Sequence, residues 1–97
     1  MAVLFCIEDE IHAEHVGEGF VSFQAALTEV RRLASIPWDV EPNVAPCQSW
    51  RTCGRHYEIV EYETSTEPSW KELRRFPVVE VMSDGVRWNA SQLPLHF

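Results

Sequence analysis

Cys47, Cys53 and His56 are the residues whose types and spacing come nearest to a reactive or metal-binding set. Five residues separate the two cysteines, and His56 lies three beyond the second. Paired zinc cysteines are usually separated by roughly two to four residues, so the match to a zinc motif is loose. A structural zinc here would take Cys47, Cys53 and His56, with His12 or His15 as a distant fourth ligand. A disulfide or redox pair would close a short loop, worth about 2–3 kcal/mol on the chain-entropy account. As a single nucleophile Cys53 is the better placed, because Arg51, Arg55 and His56 flank it and nearby cations lower a thiol pKa. His56 would be its base. On an extended strand residues three apart face opposite ways, so that pairing requires a turn at Gly54. The leading reading is plainer: both thiols are small packing groups inside a loop.

The same stretch carries a binding chemistry. Trp50, Arg51 and Arg55 combine the two residue types most often found as interaction hot spots. Gly54 permits positive φ or a close backbone approach. Together they can recognise a carboxylate, a phosphate or an acidic patch on a partner. The structural alternative makes Trp50 a core plug and pairs the arginines with the chain's own acids, such as Glu58 or Glu61.

Two weaker sets remain. His12 and His15 flank Glu14 at helical spacing, but Gly17 and Gly19 follow at once and point to a solvated acidic loop. Glu58, Glu61 and Glu63 lie along one expected strand, where two of them can form a carboxylate pair. Phosphate loops, the dinucleotide fingerprint, the serine-nucleophile elbow and the zinc-protease helix are all missing from the sequence.

These residues must be positioned by a small frame. Ninety-seven residues with 45% hydrophobic and 24% charged side chains make a single globular domain over 1–97, with 89–97 as a docking or flexible tail. A chain of this size buries roughly 60–70% of its unfolded surface, enough for one modest core. Ala2 to Ile7 is expected as a buried strand and 8–20 as an acidic connection. Ser22 caps a helix whose Phe23, Ala26, Leu27, Val30, Leu33 and Ala34 share a face, and Pro37 ends it. A long Pro-braced connection follows, through Pro37, Pro42 and Pro46. His56 to Glu63 is expected as a strand. Ser69 and Glu72 have capping-box spacing, which predicts a short helix through Arg75. Pro77 to Ser83 and Val86 to Trp88 form a hairpin about Asp84-Gly85, placing Val81 opposite Trp88.

The expected fold is therefore α+β in two layers: a mostly antiparallel sheet of about four strands with one main helix on one face. Incompletely covered sheet edges make a homodimer a natural remedy.

Charge narrows the function. The net charge is −7, with Glu8, Asp9, Glu10, Glu14, Glu18 and Glu29 in the first thirty residues and no Lys or Arg among them. Such a chain gains little from counterion release, so no nucleic-acid partner is expected. The N-terminus lacks a basic signal-peptide region and no stretch is long enough to span a bilayer, which predicts a soluble cytoplasmic protein without a membrane partner. An odd cysteine count fits a reducing compartment. No cofactor is expected. The function expected is a non-enzymatic interaction module that uses the Pro42–Arg55 loop, through Trp50, Arg51 and Arg55, to contact a protein partner or a small anionic ligand. A thiol enzyme centred on Cys53 and a structural zinc are the alternatives.

Overall fold

A computed structural model describes residues 2–9, 14–44, 54–65, 69–89 and 91; of residues 14–18 it describes the backbone. Five strands and one helix follow in the order β1 (Val3–Asp9), β2 (Glu14–Phe20), α1 (Phe23–Ala34), β3 (Arg55–Glu63), β4 (Lys71–Met82) and β5 (Gly85–Trp88). The strands form one open antiparallel sheet in the order β2-β1-β3-β4-β5. The fold class is α+β as expected, with one strand more than the sequence suggested. Among the described residues no helix is long and apolar enough to cross a membrane.

α1 forms where local rules place it. The Ser22 hydroxyl accepts from the Ala25 amide at 3.1 Å, and Ser35 closes the other end before Pro37. Arg31 and Arg32 occupy the last turn, where the helix dipole favours cations. Its buried stripe, Ala26, Leu27, Val30 and Leu33, lies on Ile7, Tyr57, Ile59, Val78, Val79 and Val81 of the sheet. Burial of each large aliphatic side chain there contributes about 1.5–3 kcal/mol. At the β1 end, Phe23 stacks edge-on between Phe5 and Phe76, with centroids 6.2 and 5.1 Å away.

Alternation then sorts the central strands onto two faces. β1 and β3 run in unbroken register from Val3↔Glu63 to Asp9↔Tyr57. Phe5, Ile7, Asp9, Tyr57, Ile59 and Glu61 therefore share the helix side, while Leu4, Cys6, Glu8, Glu58, Val60 and Tyr62 share the other. Cys6 and Val60 are buried outside the helix-side cluster, which agrees with that division.

Three expectations are corrected. Residues 14–20, read as connection, are a strand: Gly17 and Gly19 serve a bulge against β1, and a Cβ at Gly19 would lie 3.0 Å from Leu4 Cδ1. The short helix expected from Ser69 to Arg75 does not form, because Lys71 to Arg75 begins β4 and pairs with β3. Long-range pairing overrides the local capping signal. The hairpin turns one residue earlier, on Ser83-Asp84, with Met82↔Gly85 and Val79↔Trp88 paired in place of Val81 with Trp88.

β4 carries two bulges. Tyr57 pairs with Val79 but Glu58 with Pro77, leaving Val78 as the extra residue. Val78 and Val79 are accordingly both buried in the core although adjacent in sequence. Glu61 pairs with Arg74 but Tyr62 with Glu72, leaving Leu73 as the second extra residue. That insertion brings Glu72 and Arg75 to one face, although three residues apart they would alternate on a regular strand.

Gly54 enters β3 at φ +75°, and a Cβ there would collide with Met82 Sδ and lie 2.5 Å from the Val81 carbonyl oxygen. The positive φ and close approach expected of Gly54 are thus present, and the approach is to β4 of the same chain; the Cys53–His56 pairing falls on Cys53, outside the described residues. Gly54→Ala is expected to lower the unfolding free energy by about 2 kcal/mol or more. A urea midpoint equal to that of the parent chain would contradict this.

Candidate functional site

Two polar groupings stand out, one on each side of the sheet. The first holds the Pro-braced connection against the frame. Asp9 ends β1 fully buried; its Oδ2 accepts from Arg55 Nη1 at 2.8 Å and its Oδ1 from the His56 amide at 3.1 Å. Arg55 Nη2 also donates to the Val44 carbonyl at 2.9 Å. Beside it Asn43, 1% exposed, donates to the carbonyls of Leu33 and Ile36 at 2.9 and 2.8 Å, and its Oδ1 accepts from Tyr57 at 2.6 Å. One asparagine thus caps the end of α1 and ties the chain after Pro37 to β3.

This placement bears directly on Arg55. Its guanidinium is 8% exposed and engaged by Asp9, so an anionic ligand reaching it would have to compete with that carboxylate. The sequence pointed to pairing with the chain's own acids through Glu58 or Glu61; the acid is Asp9. Trp50, Arg51, Cys47, Cys53 and His12 lie outside the described residues, and of His15 only the backbone is described.

The second grouping occupies the sheet face opposite α1. Glu8 and Glu58 stand directly across from each other on β1 and β3, with side-chain exposures of 11% and 4%. Two carboxylates in that register repel. Arg75 on β4 bridges them: its Nη1 donates to Glu58 Oε2 and lies 3.3 Å from Glu8 Oε1, while its Nη2 meets Glu72 Oε1 at 2.7 Å. The Tyr62 hydroxyl donates to Glu8 Oε2. Trp70, about half exposed, leans on the Tyr62 ring at 6.0 Å. Towards β5 the same face continues as the cross-strand row His56, Glu80 and Arg87.

The carboxylate pair anticipated along β3 is therefore built differently. Of Glu58, Glu61 and Glu63, Glu58 alone lies on this face, since Glu61 shares the helix side with Arg74 at 2.8 Å. Its partner Glu8 comes from another strand, fifty residues away in sequence, and no spacing rule links the two. Arg75 and Tyr62 were equally invisible as members, because only the Leu73 bulge aligns Arg75 with Glu72.

The electrostatics follow from burial. Glu72 and Glu58 hold Arg75 charged more firmly than usual, and Arg75 in turn lowers the Glu72 pKa. Burial, reinforced by Glu8, raises the pKa of the Cys6 thiol, which keeps it protonated and a poor nucleophile. His56 Nε2 lies 3.5 Å from Glu80 Oε1 on this face. Among the described residues no group of three His, Cys, Asp or Glu side chains gathers to hold a metal. The arrangement holds Glu8 and Glu58 nearly buried beneath Arg75, with Glu72, Glu80 and Trp70 more accessible around them.

Burial, the hydrogen bond to Glu8 and that carboxylate's charge push the Tyr62 phenol well above its ordinary value near 10. The native state thus binds this proton more tightly than the unfolded chain. The stability it contributes is complete below the unfolded value and is lost as pH rises through the raised native one. Tyr62→Phe should weaken the native state by about 1 kcal/mol near neutral pH and flatten its alkaline decline. Urea unfolding from pH 7 to 11 tests this; an unchanged alkaline decline in the variant would count against it. Set beside known proteins, the chain matches no family model, no curated protein and no solved structure.

Proposed function

We propose that the chain is a non-enzymatic binding module that docks a basic segment of a protein partner on the sheet face opposite α1. The observation that carries the reading is the acidic set on that face, with Glu72 and Glu80 accessible and Glu8 and Glu58 almost buried behind Arg75, beside the exposed Trp70. Arg75 and Arg87 offset part of this charge, and the chain as a whole carries −7. Complementary charge steers a cationic segment to such a face and sets its register, while an exposed tryptophan supplies the apolar anchor.

Of the two partner classes the sequence suggested, a protein segment is favoured over a small anion, since Arg55 is engaged by Asp9. Trp50 and Arg51 remain in this reading as further contact residues on the Pro42–Arg55 connection. What supports their inclusion is the anchoring of its ends at Asn43 and Arg55.

Fluorescence anisotropy with a labelled peptide of alternating Lys, Arg and Leu tests the reading against a Glu-rich peptide of equal length. The basic peptide should bind, and Trp70→Ala should weaken it about tenfold, equivalent to roughly 1.4 kcal/mol, with the thermal midpoint within a few degrees. Glu29→Gln, which removes an acid from the exposed side of α1, should leave binding unchanged. Equal binding of the two peptides, or equal weakening by Glu29→Gln and Trp70→Ala, would reduce the interaction to bulk charge and remove the proposal. Weakening by Trp50→Ala with Arg51→Ala would add the connection to the contact surface; no effect would remove it.

A further inference from the structure

The Val78 bulge opens a cleft of about 260 Å3 on this same face, between β3 and the β4–β5 hairpin. His56, Glu58, Pro77, Val78, Glu80 and Arg87 are among its lining residues. Resting on the docking reading above, we infer that this cleft is the specificity pocket of the module and takes one arginine or lysine side chain of the docked segment, its charged head against the Glu80 carboxylate and its alkyl stem along the exposed Pro77 ring.

Three features support that assignment. First, Glu80 is the loosely engaged acid of the face. His56 Nε2 and Arg87 Nη1 approach the same oxygen of it, at 3.5 and 3.9 Å, and neither distance is that of a formed charge-assisted hydrogen bond. Its side chain is 45% exposed and can turn to a newcomer. Second, Arg87 has a closer partner in Asp84, at 2.6 Å, and can release Glu80 without losing its own ion pair. Third, Glu58 lies at the cleft almost fully buried and is held in place by Arg75, adding fixed negative charge beside the entering cation. The bulge supplies the room: by turning both Val78 and Val79 towards the core it removes one side chain from the face opposite α1 at the point where the cleft lies.

The probe is an arginine residue blocked at both ends, Nα-acetyl-arginine methylamide, titrated into the 15N-labelled chain. The glutamate and norleucine analogues serve as controls. The arginine probe should shift the amides of His56, Val78 and Glu80 saturably, and the two controls should not. Glu80→Gln should weaken binding threefold or more, and Arg87→Gln, which frees Glu80, should tighten it about twofold. Stronger shifts with the glutamate probe, or weakening by Arg87→Gln, would identify an anion site and overturn the assignment. Equal shifts with norleucine would reduce the cleft to an apolar hollow and overturn it equally.

The basic peptide of the preceding experiment separates the two levels. If it binds the parent chain and Glu80→Gln alike, the cleft is not the specificity pocket although the face still docks the segment. If it does not bind at all, both readings fall.

Discussion

The buried pair of Asp9 and Arg55 is the constraint on which the rest of the molecule turns. Burying two charges is expensive, and hydrogen bonds to both groups offset much of the expense. Here one carboxylate serves a guanidinium and the His56 amide, while the guanidinium also reaches the Val44 carbonyl. These bonds join the end of β1, the start of β3 and the returning connection at one point. Register between β1 and β3 is thereby fixed at the end where a slip of one residue would turn every side chain to the wrong face. Asn43 and Tyr57 repeat the device one layer further into the core.

That register decides what the outer face looks like. With Asp9 pointing inward, Glu8 must point outward, and its opposite number on β3 is Glu58. The repulsion between them is relieved by Arg75 from β4, and Arg75 meets Glu72 only because β4 carries an extra residue at Leu73. The candidate binding surface is therefore a by-product of strand pairing. Each charged group sits where alternation places it, and the bulges decide which neighbours share a side.

The parts legible in the sequence are those whose causes are local. The cap at Ser22, the apolar period through Leu33 and the stop at Pro37 are all written within one segment, and α1 appears where they place it. β3 was legible for the same reason, through its run of β-branched and aromatic residues. β2 was hidden because Gly17 and Gly19 look like breakers until β1 is known to lie beside them. The opening of β4 was misread because Ser69 and Glu72 mimic a helix start, whereas its true partners are on β3. The outer carboxylate pair was half legible: Glu58 stood out, while Glu8 gained meaning only through a partner fifty residues away. Arg55 stood out as well, and its pairing with an internal acid was anticipated, although Asp9 itself was not.

The two bulges of β4 bear on more than this one site. β5 covers the far end of β4, from Val79 to Met82, and among the described residues no strand lies along its outer side from Lys71 to Phe76. A straight, uncharged border of that length would recruit strand after strand and seed insoluble polymer. This border is irregular at Leu73 and Val78 and carries Lys71, Glu72, Arg74 and Arg75, so it makes a poor template for open-ended growth. The same irregularity lets a small sheet keep an uncovered rim without becoming the seed of a fibre.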